Sequence, residues 1–297
     1  VRALVPPGTP IAVVAPSHAF NPDLLAEGLA LARAAGHTLV VPPDLLQPHR
    51  YFAADDEHRL AQLTDALTSD RYGAVWAVRG GSGLTRLLPR IPWDRVRRRP
   101  VIGFSDLTPL LEASVRAAGG VAVHGPVLHS LPATDSDDRE ALWRLLDGRD
   151  LAPLRGDPWS AGRASGRVVG GNLTLLAATC GTPWQPRAAG KVLLIEEIGE
   201  LPYRLDRSLQ QLRSAGVLRG VRAVLLGTFT GCEAPADAAW TLDDVLREHL
   251  LPLGVPILAG LPIGHGRRNH PVPIGAFAHV DGEQLRFSLS ARPSTPR

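Results

Sequence analysis

The sequence predicts an α/β protein of two domains, a parallel-sheet N-terminal domain of flavodoxin-like type followed by a smaller mixed α/β C-terminal domain. Three observations carry that reading. Short apolar runs alternate with helical patterns through the first half, the alternation stops near Asp147-Gly148-Arg149-Asp150, and the chain closes on two β-like runs around Asp281-Gly282-Glu283.

Residues 11–15, 38–41, 74–78, 100–104 and 121–124 read as strands. Asn21-Pro22-Asp23 supplies a cap and a first-turn proline for a helix to about residue 35. Asp55-Asp56-Glu57 places acidic side chains at the exposed N–H groups of another helix, to about residue 67. Strands alternating with helices in this way make a parallel sheet covered on both faces, whose ligand sites gather at the carboxyl ends of the strands.

Between residues 151 and 166, Pro153, Gly156, Pro158 and Gly162 interrupt any period. This stretch is taken as the linker between an N-terminal domain of residues 1–150 and a C-terminal domain of residues 167–297. In the latter, 172–179 reads as a short helix, 192–195 as a central strand, and 204–215 as a helix with leucines at 205, 209 and 212. Strands at 221–226 and 255–258 enclose a helix over 242–249, and 276–280 pairs with 284–289 as a hairpin on an Asp-Gly turn.

A hydrophobic share of 44% in 297 residues suffices for one large core or two ordinary ones, and two suit the pattern better. The 30 glycines and 27 prolines punctuate apolar segments without repeating, which excludes collagen-like and disordered classes. The net charge is only +3, and the one basic cluster, Arg95 with Arg97-Arg98-Arg99, lacks interleaved aromatics; it reads as a solvated corner rather than a nucleic-acid surface. Cys180 and Cys232 have no second thiol nearby, so no disulfide framework is expected and a reducing cytosol is favoured. No apolar span reaches 18 residues, and the first eight residues lack the long apolar stretch of a secretion signal. The expectation is a cytoplasmic protein with no membrane partner.

Ser105 is the most informative position. It follows Val101-Ile102-Gly103-Phe104 where a helix should begin, which lifts its hydroxyl to the carboxyl edge of the sheet among backbone N–H donors. The G-x-S-x-G elbow pattern is not met, since residue 107 is Leu, and Ser-Asp before a helix also reads as a cap. A division of labour frees the hydroxyl: the Asp106 side chain is expected to cap a helix over 107–117 while its backbone N–H faces the reaction centre.

Glu196 and Glu197 end the run Val192-Leu193-Leu194-Ile195. Adjacent side chains on a strand point to opposite faces, so at most one meets a given histidine, and either also reads as a capping or salt-bridged carboxylate. His265 lies between Gly264 and Gly266, where backbone can approach a ligand closely and a neutral imidazole can take a serine's proton. Serine, histidine and carboxylate are the parts of a hydrolytic relay. Arg79-Gly80-Gly81-Ser82-Gly83 either presents N–H groups to an oxyanion or makes a close strand-to-helix turn; it lacks the lysine and spacing of a phosphate loop. Asn172 caps the next helix or contributes to a site, and His124 ends a strand where it can line a cleft. The other histidines share no metal-ligand spacing and there is no H-E-x-x-H or C-x-x-C, so no metal is expected.

These elements stand in an order that spans nearly the whole chain. It begins with residues 11–17, Arg79 to Gly83, Ile102 to Thr108, His124-Gly125-Pro126 and Gly170-Gly171-Asn172-Leu173, and continues through Leu194 to Glu197, Tyr203 to Arg207, Gly264-His265-Gly266 and Pro273-Ile274-Gly275. The ordered set resembles the S66 serine-peptidase family of LD-carboxypeptidases, which includes muramoyltetrapeptide carboxypeptidase and the microcin C immunity peptidase.

The resemblance implies a Ser105 nucleophile, a His265 general base and a Glu196 orienting carboxylate, with the active site between the two domains. It further implies an oxyanion hole from Gly80, Gly81 and the Asp106 N–H, no metal or cofactor, and a homodimer. The implied substrate is a murein tetrapeptide or related peptide, from which terminal D-alanine is freed. An exopeptidase must also hold a free carboxylate; Arg79 is the candidate, equally placed to brace the loop. His124 and Asn172 complete the expected substrate-binding set. Ser82 stands where a tyrosine or another larger residue is common in the family, which leaves the leaving-group pocket open in shape. Two other readings compete. One is hydrolysis of a microcin-type peptide-nucleotide, disfavoured by compact loops without an aromatic insertion; the other is a sugar- or anion-binding module that would tolerate loss of Ser105.

Overall fold

The alternating first half becomes a parallel sheet in the computed structural model, which describes residues 3–289. Strands β1 (Pro10–Val14), β2 (Thr38–Val40), β3 (Ala74–Ala77), β4 (Val101–Gly103) and β5 (Ala122–His124) lie in the order β2-β1-β3-β4-β5, all parallel. This is the flavodoxin-like order, which reverses direction across β1 and β3. The helices between and after them are α1 (Pro22–Ala34), α2 (Asp56–Thr68), the short α3 (Leu84–Leu87), α4 (Thr108–Ala118) and α5 (Ser136–Leu146).

The cap expected at Asn21 is made, accepting from the Asp23 N–H at 2.8 Å, and of the acidic run that opens α2, Asp55 is the cap, accepting from the His58 N–H at 2.8 Å. Helix α5 carries no assignment in the sequence reading. It starts on Asp135, which accepts from the Asp137 N–H at 3.0 Å, and it buries Ala141, Leu142, Leu145 and Leu146.

The second half builds an eight-stranded mixed sheet. Strands β6 (Leu154–Arg155), β7 (Asp157–Ser160) and β8 (Arg163–Asn172) open it, followed by α6 (Leu173–Ala178), β9 (Val192–Ile198), α7 (Pro202–Ser214), β10 (Ala223–Thr230), α8 (Leu242–Leu250) and β11 (Ile257–Ala259). Strands β8, β9, β10 and β11 are parallel neighbours. Residues 154–160, read from sequence as irregular linker, are therefore edge strands. Pro158 hides β7 from pattern reading, yet proline is tolerated there because β7 pairs on one side only, with β11.

After β11 the chain adds β12 (Val272–Ile274) antiparallel to β5 of the first sheet, then returns to the second sheet as the hairpin β13 (Phe277–Asp281) and β14 (Gln284–Ser288). Two compact units result, one of residues up to Arg149 with His270–Ile274, the other of Asp150–Asn269 with the residues from Gly275 onward. Cys180 and Cys232 are free thiols, and no helix among the described residues is long and apolar enough to cross a membrane.

The leucines at 205, 209 and 212 fall on the buried face of α7, as their spacing requires, and pack with Leu193 and Ile195 of β9 and Leu246 of α8. Leu209→Ala should therefore destabilise this unit by about 2–5 kcal/mol through lost transfer energy and a residual cavity, measured by urea unfolding.

Candidate active site

In the first unit, β4 ends at Gly103, Phe104 stays extended, and Ser105 then takes φ +64 at the head of a 3-10 turn that runs into α4. Among the described non-glycine residues only Arg50 shares that left-handed conformation, which costs an L-residue about 1–2 kcal/mol. Strain of this kind persists where its surroundings over-determine it, commonly at functional sites.

The surroundings here are the glycine loop after β3. A methyl group on Gly80 would come within 2.8 Å of Ser105 Cβ, 3.0 Å of its Oγ and 3.4 Å of the Asp106 nitrogen, so only glycine lets the loop lie against the serine. Gly81 has φ +113, and a methyl there would meet His18 Cγ at 2.4 Å. The glycine requirement is thus set by packing as well as by backbone conformation.

Asp106 does not cap α4. Its buried carboxylate accepts from Ser17 Oγ at 2.6 Å and from the Leu84 N–H at 2.9 Å, the first N–H of α3. The reason is geometric: the 3-10 turn already satisfies the start of α4 by backbone bonds, and the carboxylate turns to the donors of neighbouring segments. Burial pushes the Asp106 carboxyl up, and the Ser17 and Leu84 hydrogen bonds oppose that shift.

In the second unit, Glu196 and Glu197 occupy the end of β9 and diverge as strand alternation requires. Glu197 lies on the helical side, where Oε1 accepts from Asn172 Nδ2 at 2.6 Å and from the Ile198 N–H at 2.9 Å, and Oε2 from the Thr174 N–H at 2.7 Å. Those donors consume it structurally at the N-terminus of α6, which Asn172 also caps through the Leu175 N–H at 3.2 Å.

Glu196 is fully buried, and its Oε2 accepts from His265 Nδ1 at 2.6 Å. Burial pushes its carboxyl up, while the His265 hydrogen bond pulls it back. Strand β10 makes the space for this pair. Its register slips between Leu226 and Phe229, so Gly227 and Thr228 stand opposite Glu196 as a bulge, and the Thr228 N–H binds the Ile263 carbonyl at 2.7 Å. A methyl on Gly227 would lie 2.3 Å from that carbonyl oxygen. One on Gly264, at φ +127, would lie 2.7 Å from Glu196 Oε2. Asn269 Oδ1 accepts from the Gly264 N–H at 3.3 Å and fixes the loop from below His265 in sequence.

The remaining expected residues fall as follows. Arg79 donates Nη1 to the Ala19 carbonyl at 2.6 Å. His124 is buried at the end of β5 with its ring edge-on to Phe104, centroids 5.9 Å apart. Sequence reasoning missed the roles of Ser17, Gly227 and Thr228, whose partners are tens of residues away or depend on a bulge, and that of Asn269, whose partner Gly264 lies within the same loop. A cavity of about 630 Å³ in this unit, lined by Trp159, Phe229, Trp240 and Leu246, includes neither Glu196 nor His265. No group of three or more His, Cys, Asp or Glu among the described residues is arranged to hold a metal ion.

Comparison with known proteins agrees across both units. The LD-carboxypeptidase N-terminal domain of the S66 peptidases matches residues 11–125, and the LD-carboxypeptidase C-terminal domain matches residues 165–280. The murein tetrapeptide carboxypeptidase of Pseudomonas aeruginosa is 36% identical over 292 residues, which are 93% of this chain and 94% of that protein. The crystal structure of muramoyltetrapeptide carboxypeptidase from Oxalobacter formigenes has a TM-score of 0.84 at 28% identity and covers 94% of this chain and 98% of that one. The microcin C7 self-immunity protein of Escherichia coli is 23% identical over 81% of this chain and 80% of its own length.

The chain is therefore a serine carboxypeptidase. It belongs to the S66 family of LD-carboxypeptidases.

Because a methyl on Gly264 overlaps both Glu196 Oε2 and Thr228 Oγ1, Gly264→Ala should part His265 from Glu196. The measurement is the strongly deshielded Nδ1 proton of a carboxylate-bound histidine by NMR, present in the parent and absent from a folded Gly264→Ala variant.

Proposed function

We propose that the protein releases terminal D-alanine from murein tetrapeptides by serine acyl transfer, with Ser105 as nucleophile, His265 as general base and Glu196 as the carboxylate that orients it. The observation that carries the reading is Ser105 itself, a serine held at φ +64 on a strand-to-helix turn with a glycine loop against its Oγ. The Glu196–His265 pair supports it from the other unit. A carboxylate on Nδ1 fixes the tautomer whose Nε2 carries the lone pair, the state a base must have.

In this reaction Ser105 Oγ attacks the carbonyl carbon of the terminal amide as its proton passes to His265. The carbonyl oxygen becomes an oxyanion, and the N–H groups of Gly80, Gly81 and Asp106 stabilise charge that the ground state does not carry. Collapse breaks the C–N bond, and His265 returns the proton to the departing D-alanine amine. Water, deprotonated by the same imidazole, then hydrolyses the acyl-enzyme and restores Ser105. Glu196 stabilises the imidazolium that exists between the transfers. Arg79 is assigned to the terminal carboxylate of the substrate, with Asn172 and His124 shaping the site from buried positions. The same relay requires Ser105 and His265 to act on one bond.

Incubating the protein with a tetrapeptide ending in D-alanine beside its L-alanine counterpart, followed by mass spectrometry, should give release from the first only. Ser105→Ala should bind the peptide yet lose at least about 10³-fold in turnover, whereas a binding module would retain the same behaviour in both proteins.

Glu196→Gln should lose about 10²-fold in kcat with the fold intact, since the charge supporting the imidazolium is gone. Glu197→Gln should instead show mainly in thermal stability, because two of its three donors belong to the α6 terminus and the third is the next backbone N–H of β9. A kcat loss larger for Glu197→Gln than for Glu196→Gln, in equally folded variants, would transfer the orienting role.

A further inference from the structure

We propose that the Asp106 carboxylate is a positioning residue for acyl transfer, clamping the ends of three adjacent strands so that Ser105 and the glycine loop are set against each other. The inference rests on Ser105 being the nucleophile.

The clamp is made by one oxygen. Asp106 Oδ2 accepts the Ser17 hydroxyl at 2.6 Å and the Leu84 N–H at 2.9 Å. Ser17 lies just past β1, Leu84 closes the glycine loop after β3, and Asp106 itself follows Ser105 past β4. In the sheet these strands are neighbours, in the order β4-β3-β1. One acceptor therefore ties three carboxyl-end segments at the edge where the reaction is assigned.

The tied segments are otherwise held in ways that leave this bond the common link. Arg59, itself buried, donates to the Pro16 carbonyl and to the Ala54 carbonyl at 3.1 Å, which fixes the chain immediately before Ser17. The His18 N–H reaches the Gly80 carbonyl at 3.3 Å, joining the Ser17 segment to the glycine loop directly. On the third side, Gly80 packs against Ser105 and the Leu84 N–H binds Asp106, two contacts that set the loop's distance from the strained serine.

Both donors on Oδ2 are neutral, so the clamp needs a well-placed acceptor oxygen and not a full negative charge. Asparagine can present such an oxygen; alanine cannot, and it leaves a buried hydroxyl and a buried N–H without their acceptor. Loosening the clamp displaces the loop N–H groups from the developing oxyanion and lets Ser105 leave its strained conformation. A misplacement near 1 Å at a reacting centre is enough for about a 10²-fold loss, and it falls on the chemical step rather than on substrate binding.

The experiment compares Asp106→Ala, Asp106→Asn and Ser17→Ala with the parent protein. The readouts are kcat and KM for D-alanine release from a tetrapeptide, the rate of Ser105 labelling by a fluorophosphonate, and thermal unfolding. Asp106→Ala should lower kcat about 10²-fold with KM within about threefold, and slow labelling in parallel. Asp106→Asn should recover kcat to within about tenfold of the parent, and Ser17→Ala should lose about five- to tenfold.

A folded Asp106→Ala with parental kcat and labelling overturns the clamp, as does an Asp106→Asn no better than a folded Asp106→Ala. If Asp106→Ala does not fold, parental kcat in Ser17→Ala overturns it. The underlying reading fails separately: a Ser105→Ala protein that still turns over removes the nucleophile, whereas a parent labelled at Ser105 beside an unimpaired Asp106→Ala removes the clamp alone.

Discussion

A carboxylate taken out of water must be met by donors, and that requirement organises both halves of this protein. Asp106, Glu196 and Glu197 all sit at strand ends and are all buried. Each meets a different donor set: a serine hydroxyl and a helix N–H for Asp106, an imidazole on Oε2 for Glu196, and an amide with two backbone N–H groups for Glu197. An unsatisfied buried carboxylate is among the costliest defects a fold can carry, so each one dictates where its neighbouring segments lie. The glycines then follow. Gly80 is required by contact with Ser105, and Gly227 and Gly264 by the room Glu196 and its partner need.

The two glutamates show how one short sequence supports two physically distinct tasks. They are adjacent in sequence but on opposite faces of β9, so one is committed to helix α6 and the other to His265. Asn172 donates to Glu197 and accepts from the Leu175 N–H, so one side chain joins the end of β9 to the start of α6.

Much of this was legible in the sequence because it is local. The parallel strands, the cap on Asn21, the acidic start of α2, the apolar face of α7 and the alternation of Glu196 and Glu197 each depend on residues within one or two turns of chain. What escaped depends on distance or on exceptions. Pro158 and Pro273 each sit within a strand, which conceals β7 and β12 from period-two reading. The acceptor for the first N–H of α3 is hidden because its carboxylate lies 22 positions away. The expectation that Asp106 caps the helix it precedes is the reasonable local inference, and it fails because a buried acid chooses among donors in space rather than along the chain. The bulge opposite Glu196 needs the register of two strands, which no single segment contains.

The return of the chain at β12 has a consequence for how the molecule is made. The parallel sheet of the first unit has one flank at β5, and β12, more than a hundred residues later, is the strand that covers it. A nascent chain that has emerged only through α5 thus holds five strands with β5 still bearing a row of unpaired backbone groups. Its first sheet is completed only after the segment carrying His265 has been synthesised. Assembly of the earliest domain is in this way conditional on the latest part of the second, and a fragment cut at the apparent boundary near Arg149 carries an open edge that the whole chain does not.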